Sequence, residues 1–152
     1  MNGDSVEVVT SFKYLGSILD GKLSFAENTD YIAKKAQQRL YLLRKLKSFD
    51  VSQNVLQLVY RSIIESVLTF NIIFWYGNLT VKNKSKLCRI VNTAEKIIGC
   101  RQTTLACHYH TAVNRKAQKV VNDYMHPLHN SFTIKAPIWS PSQNASCKEK
   151  PF

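Results

Sequence analysis

Between residues 25 and 46 the chain repeats one spacing: Phe25, Thr29, Ile32, Ala36, Leu40, Leu43 and Leu46 follow each other at three- and four-residue steps. That period puts them on one stripe of a long helix. Ser24 followed three residues later by Glu27 has the form of a capping box and predicts the helix start. Lys34, Gln38, Tyr41 and Lys45 fall opposite the stripe, and Lys35, Arg39, Arg44 and Lys47 flank it. Upstream, Val6, Val8 and Val9 and then the stretch 12–19 are β-branched and aromatic, with a break at Gly16 and a turn pair at Asp20-Gly21. They predict a short β-ribbon that needs a partner surface, since two strands alone are marginal in water.

Downstream, Asp50 or Ser52 caps a second predicted helix through Val55, Leu58, Val59, Ile63, Val67 and Phe70 to Tyr76, with Gly77 as its stop. Its second half is apolar around most of its surface, so it is expected to be the central and most buried helix. A third opens at Thr80, carries Leu87, Ile90, Val91, Ala94, Ile97 and Ile98 inward, and ends at Gly99. A fourth, over 113–124, turns Val113, Ala117, Val120, Val121 and Tyr124 inward and stops before Pro127. From residue 136 the sequence APIWSPSQNASCKEKPF has no period and predicts a disordered tail. The expected fold is mainly α: a short N-terminal β-ribbon (1–21), three to four packed helices in one domain (22–135), and the tail (136–152).

Composition changes this picture in one respect. Of 152 residues, 21 are Lys or Arg and 10 are Asp or Glu, a net charge of +11. No acid occurs between Tyr31 and Phe49. An uncompensated excess of this kind points to an anionic partner, either nucleic acid or a membrane surface. The N-terminus MNGDSVEVVT has no apolar h-region, and the apolar run 66–77 is too short to span a bilayer. The expected location is therefore intracellular, nuclear or cytoplasmic rather than secreted. The sequons at Asn78 and Asn144 then carry no sugar, and Cys88, Cys100, Cys107 and Cys147 are reduced thiols. Nothing in the pattern fixes an oligomeric state.

The order FKYLGSILDGKLSF…IAKKAQQRLYLLRKL resembles the segment that follows the catalytic palm in reverse transcriptases of LINE-type (non-LTR) retrotransposons. LVYRSIIESVLTFNIIFWYGNL, KLCRIVNTAEKIIG and RKAQKVVNDYMHPLH extend the likeness over most of residues 5–135. It implies that 12–19 is a palm–thumb junction and the rest a thumb-like bundle that grips a duplex. Residues 100–110 and those after Phe132 depart from the family's continuation. Residues 29–47 also resemble the short helical segment named for the N-terminus of AlkB-type alkylation-repair and tRNA-modifying proteins. That family name implies a dioxygenase or a methyltransferase.

Asp4, Asp20, Asp30, Asp50 and Asp123 are scattered, without the adjacent pair that two-metal phosphoryl transfer requires. There is no His-x-Asp motif for an iron oxygenase, and five dispersed glycines make no phosphate- or cofactor-binding loop. Cys100, Cys107, His126 and His129 form a conceivable zinc set, but gaps of six and two residues fit no common pattern. The expected reading is a chain without catalytic residues, metal or cofactor. It binds the backbone of RNA, DNA or an RNA–DNA hybrid, without a membrane. The candidate phosphate contacts are Lys34, Lys35, Arg39, Arg44, Lys45 and Lys47, with a second set at Lys82, Lys84, Lys86 and Arg89.

Overall fold

The computed structural model describes residues 9–133. The predicted tail (136–152), Val6, Val8, Cys147 and the Asn144 sequon lie outside the described residues. Strands β1 (Ser11–Tyr14) and β2 (Ser17–Asp20) pair antiparallel, with Ser11 opposite Asp20 and Tyr14 opposite Ser17. The two strands thus cover the 12–19 run and extend one residue beyond it at each end, and Val9 is exposed and outside the ladder. The reason is the turn. Leu15 and Gly16 both take positive φ, 45° and 85°, the backbone of a two-residue hairpin whose twist matches its strands. Gly16 also passes close to Phe70: a Cβ there would sit 3.1 Å from the ring.

The ribbon is tied to helix α1 (Ala26–Ser48) by a buried side chain. The backbone N–H of Ile18 donates to Asn28 Oδ1 at 3.0 Å, and Asn28 is fully buried. The helix start differs from the predicted capping box. Ser24 donates to Asp20 through both its backbone N–H, at 2.7 Å, and its hydroxyl, which holds the Asp20 carboxyl below its ordinary pKa. Phe25 takes the N-cap position with φ 54°, buried and edge-on to Phe74 at 5.3 Å. Aromatic burial and the Asp20 turn together replace the side-chain cap.

The predicted stripe of α1 is the core. Phe25, Thr29, Ile32, Ala36, Leu40 and Leu43 are buried, joined by Ala33. Of all the helices, α1 touches the most partners, and it packs most extensively on α5 (Val81–Ile98). The second predicted helix is not the central one and is not continuous. It runs as α2 (Gln53–Val59), a π-helical turn (Tyr60–Glu65), α3 (Ser66–Thr69), α4 (Ile72–Trp75) and a 3₁₀ turn (Tyr76–Asn78). Its buried residues Leu56, Tyr60, Ile64 and Leu68 recur at every fourth position. In an α-helix that spacing drifts by about 40° per step. The extra residue in the π turn rotates the stripe back toward α1. At Asn71 the chain enters the left-handed region and the helix breaks; Trp75, fully buried, donates its indole N–H to the freed Phe70 carbonyl at 2.9 Å. Of the adjacent aromatics Phe74, Trp75 and Tyr76, Trp75 alone is fully inside. Phe74 is half exposed, as are Val55, Leu58, Phe70 and Ile73 on the outer side.

Helix α5 begins and ends as read. Thr80 accepts from the Asn83 N–H, and Gly99 closes the C-terminus at φ 85°. The chain divides into two compact units after Leu105, inside the span expected to be one domain. In the second unit α6 (Leu105–Asn122) starts eight residues before the predicted position, because 105–110 contains neither Gly nor Pro to oppose a helix. Val120 is buried there, whereas Val121 and Tyr124, expected inward, are exposed. A short α7 (His129–Thr133) follows.

Replacing Asn28 by Ala leaves the Ile18 amide without its buried acceptor. The expected cost is about 1–3 kcal/mol, read as a lower Tm together with faster hydrogen exchange at Ile18. Unchanged exchange there would show that Asn28 does not hold the ribbon.

Candidate nucleic-acid interface

Helix geometry sorts five of the six candidate cations of α1 into two groups. Measured from Leu40, Arg44 lies about 40° and Lys34 and Lys45 about 120–140° round the helix in one sense. Lys35 and Arg39 lie about 140° and 100° round in the other. Contacts agree with the division. Arg44 and Gln37 line a groove against α5, and Lys34 and Lys45 are exposed beyond it. Lys35 sits over the Tyr31 ring at 4.8 Å. Arg39 donates through Nη1 to the carbonyl of Ile63 inside the π turn, a bond that ties it to the fold. Lys47 is exposed in the last turn, where a cation complements the helix dipole.

The second set divides likewise. Lys86 and Arg89 line the same groove, and Lys82 lies on that flank of α5. Lys84 points the other way and sits 5.2 Å over the Tyr76 ring. Lys86 is paired with Asp30 at 2.7 Å. The groove measures about 290 Å³, with Leu40 and Ile90 at its base and Gln37, Arg44, Lys86, Arg89 and Thr93 around them. Gln37 and Thr93 escaped the sequence reading because only the pairing of α1 with α5 makes them neighbours. Tyr41 is exposed on the Lys34–Lys45 side.

Of the zinc set, Cys100 lies in the first unit and Cys107, His126 and His129 in the second. Gln102 donates its side-chain amide to the carbonyl and Sγ of Cys100, both at 3.2 Å, and its backbone N–H to Glu95. His126 Nδ1 accepts from the Leu128 N–H at 3.1 Å, and buried His129 has Nδ1 3.3 Å from the Val120 carbonyl. Cys107 lies in the first turn of α6, and among the described residues no three His, Cys, Asp or Glu side chains gather to hold a metal. The described residues include one helical stretch, 53–78, long and apolar enough by length and composition to cross a membrane, more than the 66–77 run alone suggests. Its inner stripe is packed on α1.

Tyr31 has the second cluster of positive charge. Lys35 and Lys13, the latter 3.2 Å from the phenol oxygen, hold its pKa below the ordinary value of 10.0. In a spectrophotometric titration the lowest tyrosine step should vanish in Tyr31→Phe; its persistence would refute the pairing. Arg39→Gln should cost about 1.5–3 kcal/mol of stability, the range for a hydrogen bond from a charged donor. It should leave the salt dependence of nucleic-acid binding unchanged, and a flatter dependence would return Arg39 to the phosphate contacts.

Comparison with known proteins adds one match. The sequence model of the family described as "Alkylated DNA repair protein alkB homolog 8, N-terminal" matches residues 26–66, which span α1, α2 and the π turn. No curated protein and no solved structure matches the chain. The likeness to LINE-type reverse transcriptases therefore finds no counterpart among the comparisons. The likeness of 29–47 to the AlkB-type segment lies within the matched stretch, and over 26–66 the chain is similar to that family.

Proposed function

We propose that the first unit is a noncatalytic nucleic-acid-holding module that grips backbone phosphates with Lys34, Arg44 and Lys45 of α1 and Lys82 and Arg89 of α5. One observation carries this reading. Two cationic helices pack side by side so that their basic flanks adjoin, and the acid beside them, Asp30, is paired with Lys86. Cations arranged in this way bind phosphates without reading sequence. The family match supports a setting in alkylated-nucleic-acid repair or modification, because its description names DNA repair and the matched residues include the basic helix. In this setting the chain holds a strand inside the cell, without its own metal or cofactor, while the chemistry is carried out by other residues. A second reading, a reverse-transcriptase thumb, rests on the FKYLGSILDGKLSF resemblance. It predicts the same grip with a preference for an RNA–DNA hybrid duplex.

Fluorescence anisotropy with structured RNA, duplex DNA and a hybrid duplex tests both. For about four neutralised phosphates, log K should fall with log salt at a slope near −3.6. Charge reversal at Lys34, Arg44 and Lys45 should abolish binding, and reversal at Lys35 and Lys84 should not. A salt-independent affinity, or binding to anionic vesicles with none to nucleic acid, would overturn the proposal. Calorimetric binding of iron with 2-oxoglutarate, or of S-adenosylmethionine, would overturn its noncatalytic part.

A further inference from the structure

We infer that the α1–α5 groove seats a single phosphodiester between the guanidinium groups of Arg44 and Arg89, joining the two basic rows into one continuous track. The inference rests on the nucleic-acid reading above and gives it a specific seat. Arg44 comes from α1 and Arg89 from α5, and both line the one groove. Neither forms an ion pair among the described residues, whereas Lys86 is bonded to Asp30. The groove's base is apolar, formed by the buried Leu40 and Ile90. Guanidinium is the group suited to such a place: planar, always charged, and shaped to hold two phosphate oxygens at once. Gln37 adds an amide donor at the rim. Thr93 donates its hydroxyl to the Arg89 carbonyl at 2.7 Å, bracing the α5 backbone beneath that side chain.

The lining offers a base no aromatic face to stack on, because Tyr41 lies out on the exposed face of α1 and is not among the lining residues. Asp30 then acts as a local competitor. Its carboxylate occupies Lys86, so removing that charge should release a third cation to the site.

The test is the salt slope of duplex binding in Arg44→Gln, Arg89→Gln and the double variant, with folding checked by circular dichroism. Each phosphate released changes the slope by about 0.9. Two arginines on one phosphate predict that the double variant loses about one such step, and that each single variant loses less. The affinity loss of the double variant should also be smaller than the product of the single losses. Loss of about two steps with multiplicative affinities would mean two separate phosphates and would overturn the shared seat. Asp30→Asn should tighten binding by up to about fivefold, the scale of one exposed ion pair; weaker binding would count against the site. Inorganic phosphate at constant ionic strength should compete poorly, and efficient competition would reassign the groove to a free anion. If wild-type protein binds no nucleic acid, the broader reading fails. If it binds with the expected slope and the arginine variants behave as independent contacts, only the groove assignment fails.

Discussion

The fold depends on the seam between α1 and α5. Leu40 and Leu43 on one helix, and Leu87, Ile90, Val91 and Ala94 on the other, leave water there. Each large aliphatic side chain so buried contributes about 1.5–3 kcal/mol. The same packing sets Arg44, Lys86 and Arg89 around one groove. Near a protein surface, like charges about 4 Å apart repel by about 4 kcal/mol, less at greater separation, and salt weakens this further. Apolar burial therefore outweighs the repulsion. The cations remain adjacent because the stripes beneath them leave no other packing, and the Asp30–Lys86 pair relieves only part of their field.

A second constraint shapes the stretch from Gln53 to Asn78. Its inward residues recur every fourth position, a spacing that a regular α-helix cannot keep on one face. The π turn restores the alignment, and changes of hydrogen-bond pattern leave backbone groups that need partners. Arg39 supplies one at Ile63, and Trp75 supplies another at the Phe70 break. Ser62, Ser66 and Thr69 add hydroxyl bonds to carbonyls one turn back, which favours bending. One of the six candidate cations of α1, Arg39, thereby takes part in the architecture.

Much of this was legible from spacing alone. The α1 stripe, the Thr80 and Gly99 boundaries of α5 and the basic character of both helices follow from periodicity, capping and charge. What spacing cannot show is which neighbour a helix chooses. The twist around α1 places Arg39 and Arg44 on different flanks, and only the position of α5 makes one flank a groove. Boundaries failed where a tertiary partner overrode a local signal. Ser24 reads as a cap, but the Asp20 carboxylate takes its hydroxyl and Phe25 moves inward against Phe74. The 53–78 run reads as one buried helix because its residues are apolar, yet its fourfold spacing already contained the need for a π turn. The start of α6 differs for a simpler reason: the apolar period begins to show only at Val113, although nothing in 105–110 breaks a helix.

These two constraints make ligand affinity and fold stability parts of the same balance. Packing α1 on α5 brings Arg44, Lys86 and Arg89 around one groove, and on the proposed reading an anion seated between the arginines relieves their repulsion. A ligand that binds only the packed state stabilises it by about 2.7 kcal/mol at a hundredfold excess over Kd. The buried seam supplies the larger and permanent term, so the helices are held together before any strand arrives. Their cations are then already positioned, and binding need not spend its free energy on assembling the site. A surface built in this way favours grip over discrimination, because its shape comes from aliphatic packing and its attraction from charge, and neither depends on the identity of a base.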